Sequence, residues 1–438
     1  MTQHARLATQ LNEVRGTTPL GTTLHPSRPL QDNRVKHHRF HITQLVRIVQ
    51  NVLRPIVLFG RIHSIHSKKN KTPLSAYTLP FTTAPDNLCI LRLSAVGDIC
   101  HTVPVVRSIQ RQWPTTRITW IIGKLEASLI GDLPGIEFII FDKGCGWRAY
   151  TGLRQELRQR LKNRHFDALL QMQISIRSSI ASLLIPADIK LGFDKARAKD
   201  CQWLFTNARI AEKSRQHVMD GLFGFAKAIG ITDLTPHWDI PIPAEAQNFV
   251  QARLPADKPV LAISPCSSNR ARNWRNWSPE GYAQITDYAA EKHNMQVVLT
   301  GGPSQLEKDY GEQISALAKH TPINLIGQTN LKQLLAIIQH ANVLISPDSG
   351  PAHMATTVGT PVIGLYVTSN PERTGPCLSQ QWVVNKYPEA LQAEIGKTVD
   401  EVSWGQRVRS AEAMARISVK DVMAKLDEVL SNKPVDNT

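Results

Sequence analysis

Residues 88–105 read LCILRLSAVGDICHTVPV, and the fold is decided in this stretch. Leu88 to Leu93 make a short apolar run of strand length. Ser94-Ala95-Val96-Gly97-Asp98 then supplies a glycine-bearing turn, and the residues around Pro104 and Val105 continue as a helix. Strand, tight turn and helix in succession are the repeating unit of a parallel, doubly wound sheet.

Working outward, the unit recurs. Strands are expected at 88–93, 118–122, 137–141, 168–172 and 190–193, each followed by a helix-length amphipathic stretch. Near Ile240 the pattern stops, and Pro241, Pro243, Pro255 and Pro259 punctuate a polar segment that cannot form a central strand or an uninterrupted helix. It then restarts. Strands are expected at 260–264, 296–300, 323–326, 343–346 and 362–366, with helices beginning near Pro279, Ser304, Leu331 and Pro351. The expected architecture is α/β, with two facing Rossmann-like domains, mostly parallel sheets and a cleft between them. The expected domains are 86–243 and 258–405, preceded by a basic, poorly ordered extension over 1–85 and followed by a helix and tail over 406–438.

Bulk properties agree. A chain of 438 residues exceeds the roughly 250 to 300 residues at which single cores stop growing. The composition is that of a water-soluble globular protein, and no apolar run approaches the ~20 residues that span a bilayer. Six cysteines (Cys89, Cys100, Cys145, Cys201, Cys266, Cys377) lie far apart, without a CxxC pair or zinc-ligand spacing. Reduced thiols and a cytoplasmic setting are the expectation. The formal charge is +15, and two thirds of it falls in residues 1–85. A basic balance suits nucleic acid, an acidic glycolipid or an anionic membrane surface. No RNP, zinc-finger or basic-zipper pattern is present, so nucleic acid is not expected. In the extension, Arg47, Arg54 and Arg61 recur among Val46, Val49, Val52, Leu53, Ile56, Val57 and Phe59. That basic amphipathic pattern, interrupted by Pro55, suits a membrane surface or a solvated tail.

Ligands of doubly wound sheets bind outside the carboxyl ends of the strands, so the loops after strands are where chemistry is sought. In the first, Asp98 follows a turn at Gly97; taken alone, an Asp at a helix start is more often a cap than a base. In the second, Ser264-Pro265-Cys266-Ser267-Ser268 is followed by Arg270, Arg272, Trp274, Arg275 and Trp277, hydroxyls and guanidinium groups of the kind a pyrophosphate needs. In the third, Pro347-Asp348-Ser349-Gly350-Pro351-Ala352-His353 is a turn entering a helix, whose first amides and dipole favour an anion. A fourth, Thr300-Gly301-Gly302-Pro303, lets backbone approach a ligand, with Glu307 about one turn along. It matches neither GxGxxG nor a Walker A loop.

The series LRLSAVGDICHTVP at 91–104, the serine pair Ser267-Ser268 followed by RNWSPE ending at Glu280, TGGP at 300–303 and PDSGPAHMA at 347–355 resembles glycosyltransferase family 9, whose four motifs occur in this order. The segment GFDKARAKD at 192–200 resembles the heptosyltransferase I type within that family. The resemblance covers about 88–387. It implies a GT-B enzyme that inverts the anomeric centre while moving heptose from ADP-heptose to a Kdo sugar of lipid A, with no cofactor. Asp98 is then the general base. Ser267, Ser268, Arg272 or Arg275, Gly301, Glu307, Asp348, Ser349, Gly350 and His353 are the donor nucleotide and phosphate site. Lys195, Arg197 and Lys199 are offered to the anionic acceptor. The chain contains no D-x-D pair, so no metal is expected, and side-chain cations and amides must take its place. A peripheral position on the cytoplasmic face of the inner membrane is expected. The alternatives are a transferase of the same family with another acceptor or sugar, a noncatalytic nucleotide-binding protein, and a two-domain nucleotide-sugar epimerase.

Overall fold

The computed structural model describes residues 78–267 and 273–432. Its first half alternates β1 (Asn87–Leu91), α1 (Val96–Gln112), β2 (Arg117–Gly123), α2 (Lys124–Ile130), β3 (Ile136–Phe141), α3 (Arg148–Gln159), β4 (Phe166–Leu170), α4 (Ile176–Leu183), β5 (Ala187–Gly192), β6 (Ala208–Arg209) and α5 (Val218–Ile229). Helix α6 (Ala244–Gln251) fits between Pro243, which caps it, and Pro255. The second half runs β7 (Val260–Ile263), α7 (Pro279–His293), β8 (Gln296–Leu299), α8 (Gln305–Leu317), β9 (Ile323–Asn324), α9 (Leu331–His340), β10 (Val343–Pro347), α10 (Gly350–Thr357), β11 (Val362–Tyr366), α11 (Pro371–Thr374), β12 (Val384–Asn385), α12 (Tyr387–Ile395) and α13 (Val419–Ser431).

Both sheets are parallel, ordered β3-β2-β1-β4-β5-β6 and β12-β11-β10-β7-β8-β9. The two orders are the same topology, in which the winding reverses between β1 and β4 and between β7 and β10. Such a reversal leaves a crevice at the carboxyl edge. All ten expected strands are present within a few residues of their expected ends. The expectations missed β6 and β12, which are two residues long and carry no pattern.

The strands are mostly apolar because helices cover both faces; Leu88, Cys89, Ile90 and Leu91 have no exposed surface. Burying such a side chain contributes about 1.5 to 3 kcal/mol. One cluster of buried side chains runs from β1, α1 and α5 into β7, α9 and α10, so the halves share a core. Polar ties flank it. Lys332 bonds Asp132 at 2.7 Å, Arg215 bonds Asp400 at 2.6 Å, and the Trp404 indole donates to the Gln216 carbonyl at 2.7 Å.

The extension expected over 1–85 shares its last residues with this unit. Leu79 and Phe81 pack on the core, the Phe81 amide donates to Ile229 O at 3.0 Å, and the Thr116 hydroxyl donates to Pro85 O at 2.7 Å. The Arg47, Arg54 and Arg61 pattern lies outside the described residues. Among the described residues no helix is long and apolar enough to cross a membrane.

Candidate active site

Asp98 sits in the first turn of α1, directly past the carboxyl end of β1. Its Oδ2 accepts the Ala95 N–H at 3.0 Å and the Arg92 guanidinium at 2.6 Å. Ala95 has no side chain with which to return a cap, so only the acidic half of a capping box exists. The cap and the base readings of Asp98 are therefore compatible, because one oxygen serves the cap while the side chain stays 37% exposed to the cleft. The turn is held from the loop after β4, where the amides of Leu93 and Ser94 both donate to the Gln173 side-chain carbonyl.

Facing this turn is α10. Its N-cap is Ser349, whose hydroxyl pairs with Ser346 at 2.8 Å and makes no capping bond. Among the described residues no side chain caps the first-turn amides of α10, beginning at Gly350, and they keep their pull on an anion. Asp348 is buried and accepts the Ser369 hydroxyl at 2.7 Å. Arg275 crosses to it, donating to the Asp348 carbonyl at 2.8 Å with its carboxylate at 3.5 Å. This places a guanidinium beside the helix start. Ser267 is part of the same group: its amide donates to Asn276 at 3.0 Å and its hydroxyl to Asn273 at 2.9 Å. Ser268 and Arg272 lie outside the described residues.

Past the end of β8, Ser304 caps α8 by accepting the Glu307 amide, and the Glu307 carboxylate accepts the Gly302 amide and the Ser304 hydroxyl. A Cβ at Gly301 would stand 2.7 Å from Glu307 Oε2, so a side chain there would push the Glu307 carboxylate aside. At the end of β5, Lys195 and Lys199 are exposed. Arg197 is differently placed, with its donors on Asp194, Gln216 at 2.9 Å and the Ala211 carbonyl at 3.0 Å. Its guanidinium clamps the loop.

Three histidines lie between the halves. His101 of α1 meets His353 of α10 edge-on at 4.5 Å and His217, the N-cap of α5, at 5.3 Å. Burial lowers the affinity of all three rings for a proton, and for His101 the neighbouring His353, His217 and Arg92 lower it further. His217 accepts the Met219 amide on Nδ1 and faces the Gly375 carbonyl at 2.9 Å through Nε2, which fixes the neutral Nε2–H tautomer. His353 Nδ1 is buried without a hydrogen-bond partner among the described residues. Among the described residues no group of three His, Cys, Asp or Glu side chains is placed to hold a metal ion.

Sequence reasoning did not single out Arg92, Gln173, Asn273, Asn276, His101 or His217. The one available signal was position, since Arg92 and Gln173 lie just past the ends of adjacent strands at the winding reversal.

The geometry can therefore bring a carboxylate on one half to face cationic and amide donors on the other. Residues 154–403 match the family model of glycosyltransferase family 9 (heptosyltransferase). The lipopolysaccharide core heptosyltransferase OpsX of Haemophilus influenzae is 43% identical over 80% of this chain and 98% of its own length. Lipopolysaccharide heptosyltransferase 1 of Escherichia coli K12 is 22% identical over 69% of this chain and 94% of its own. Among solved structures, the glycosyl transferase family 9 protein of Veillonella parvula aligns with a TM-score of 0.65 at 22% identity, covering 80% of this chain and 98% of that one. Escherichia coli heptosyltransferase WaaC with ADP aligns with a TM-score of 0.60 at 18% identity, covering 78% and 99%.

Proposed function

This chain belongs to glycosyltransferase family 9, and we propose that it moves heptose from ADP-heptose to a Kdo sugar of the lipid A inner core, inverting the anomeric centre without a metal. The observation that carries this reading is Asp98 opposite the uncapped start of α10 and Arg275, in a chain 43% identical to a lipopolysaccharide core heptosyltransferase.

Asp98 takes the proton of the acceptor hydroxyl while that oxygen bonds to the anomeric carbon. The bond from that carbon to the diphosphate oxygen breaks on the opposite face, which inverts the centre. The leaving ADP carries off the electron pair, and its charge is met by Arg275, the amides from Gly350 onward and the loop of Ser267 and Ser268. Arg272 is the second candidate cation of that loop. Glu307 and Gly301 receive the nucleoside, with Asp348, Ser349 and His353 nearer the phosphates and sugar. Lys195 and Lys199 meet the anionic acceptor, and Arg197 shapes their loop. The lack of a D-x-D pair supports metal independence. The basic extension engages the anionic cytoplasmic face of the inner membrane.

WaaC has been solved with ADP and with ADP-2-deoxy-2-fluoro heptose, which makes ADP-heptose the first donor to test. The purified chain is incubated with a panel of nucleotide sugars, with and without Kdo-lipid A, and nucleoside diphosphate release is followed. Release from ADP-heptose that depends on Kdo-lipid A is expected. Release from another donor, or only with an already heptosylated core, would overturn the assignment.

A further inference from the structure

We infer that Arg92 is a positioning residue for Asp98, fixing one carboxylate oxygen so that the other, Oδ1, receives the acceptor's proton; this rests on the function proposed above. Arg92 is a buried cation directly past the end of β1. The Arg92 side chain is 10% exposed, at the reversal between β1 and β4. Its backbone is pinned on both sides, the amide donating to Ile121 O at 3.2 Å and the carbonyl accepting the Trp120 indole at 3.2 Å. One guanidinium nitrogen, Nη1, donates to the Met172 carbonyl past the end of β4. The other, Nη2, reaches Asp98 Oδ2 at 2.6 Å.

Two features separate this arrangement from an ordinary structural ion pair. First, among the described residues every hydrogen bond and ion pair to the Asp98 carboxylate falls on Oδ2, from Arg92 and from the Ala95 amide. With Oδ2 held from two directions, the carboxylate cannot rotate about its last torsion, and Oδ1 stays directed away from both donors. Second, Arg92 Nε is buried with no hydrogen-bond partner among the described residues. A buried donor left unmade costs free energy that an apolar residue would not incur. The site keeps it where geometry, not stability, is at stake.

A general base acts only when its accepting atom lies within hydrogen-bond reach of the proton, and a misplacement of about 1 Å can cost about 100-fold in rate. Arg92 is too buried to touch the substrate. Its loss should therefore lower turnover and leave donor affinity alone.

The test measures kcat and the donor KM for the full chain with ADP-heptose and Kdo-lipid A, for Arg92→Met and Arg92→Lys, each also in an Asp98→Asn background. Arg92→Met should lower kcat by about 30- to 100-fold with KM changed less than about threefold. Arg92→Lys, which keeps the charge and one donor, should recover most of the loss. In the Asp98→Asn background, Arg92→Met should change the residual rate by less than about twofold, since residues acting as a unit are non-additive. An equal fall in both backgrounds, a rise in KM matching the fall in kcat, or unchanged kcat would overturn the role. If Arg92→Met does not fold, Arg92→Gln, which also removes the charge, decides in the two backgrounds by the same criterion. A parent chain inactive with ADP-heptose overturns the proposed function and this role with it, whereas an active parent with unaffected variants overturns Arg92 alone.

Discussion

Gly97 and His353 touch where α1 crosses α10: a Cβ on Gly97 would lie 2.4 Å from His353 Cδ2. The absent side chain of Gly97 is therefore what lets the helix carrying Asp98 approach the helix start assigned to the phosphates.

Gly97→Ala should force the ring or a helix aside, an overpacking that typically costs about 1 to 3 kcal/mol. The midpoint of denaturation should fall accordingly. Adding His353→Ala should return part of the loss, because the clash is with that ring. Fully additive destabilisation in the double variant would show that the contact is not what constrains position 97.

The histidines His101, His217 and His353 predict an acid-labile junction. Each ring holds its proton less tightly in the fold than an exposed imidazole, chiefly through burial. Asp98, Asp348 and Asp220 face the group and favour protonation, while Arg92, Arg275 and Arg373 oppose it. Below roughly pH 6.5 the unfolded rings take up protons that the folded rings refuse, so stability is present above that value and lost as pH falls. The thermal midpoint should drop between about pH 7 and pH 5, and less steeply in His101→Phe. An unchanged slope in that variant would exclude the ring.

These histidines also mark what the sequence could not convey. The alternation of apolar runs with helical stretches made both sheets legible, and the residues after strands, Asp98, Ser267, Gly301 and Asp348, were legible by position. Residues 101, 217 and 353 come together only once three helices are packed, which no local period encodes. Amide latches such as Gln173, Asn273 and Asn276 were equally silent, since a neutral amide fits any polar surface pattern. For Arg197 the charge was legible, but its partners Asp194, Gln216 and Ala211 were not.

Arg275→Ala should weaken ADP binding by about 10-fold or more, because it removes a cation beside the α10 start and frees the Asp348 carbonyl. Arg272→Ala should have the smaller effect in the same titration. The reverse order would move the phosphate cation to Arg272. Turnover in excess EDTA should equal turnover with magnesium; a strict divalent requirement would overturn the metal-free reading.

The extension should be dispensable for a soluble, delipidated acceptor. Because Leu79 and Phe81 pack on the core, the informative truncation begins at Ala76 rather than after residue 85. Vesicles containing anionic lipid should retain the full chain better than the truncated one, less so at high salt. Equal retention would remove the anchoring role.

The central claim is that Asp98 is the base, and Asp98→Asn tests it most directly. ADP-heptose affinity and acceptor-dependent ADP release are measured on the same preparation. Affinity within about threefold of the parent, with release lowered by about 100-fold or more, is the predicted result. Release within about tenfold of the parent would contradict it.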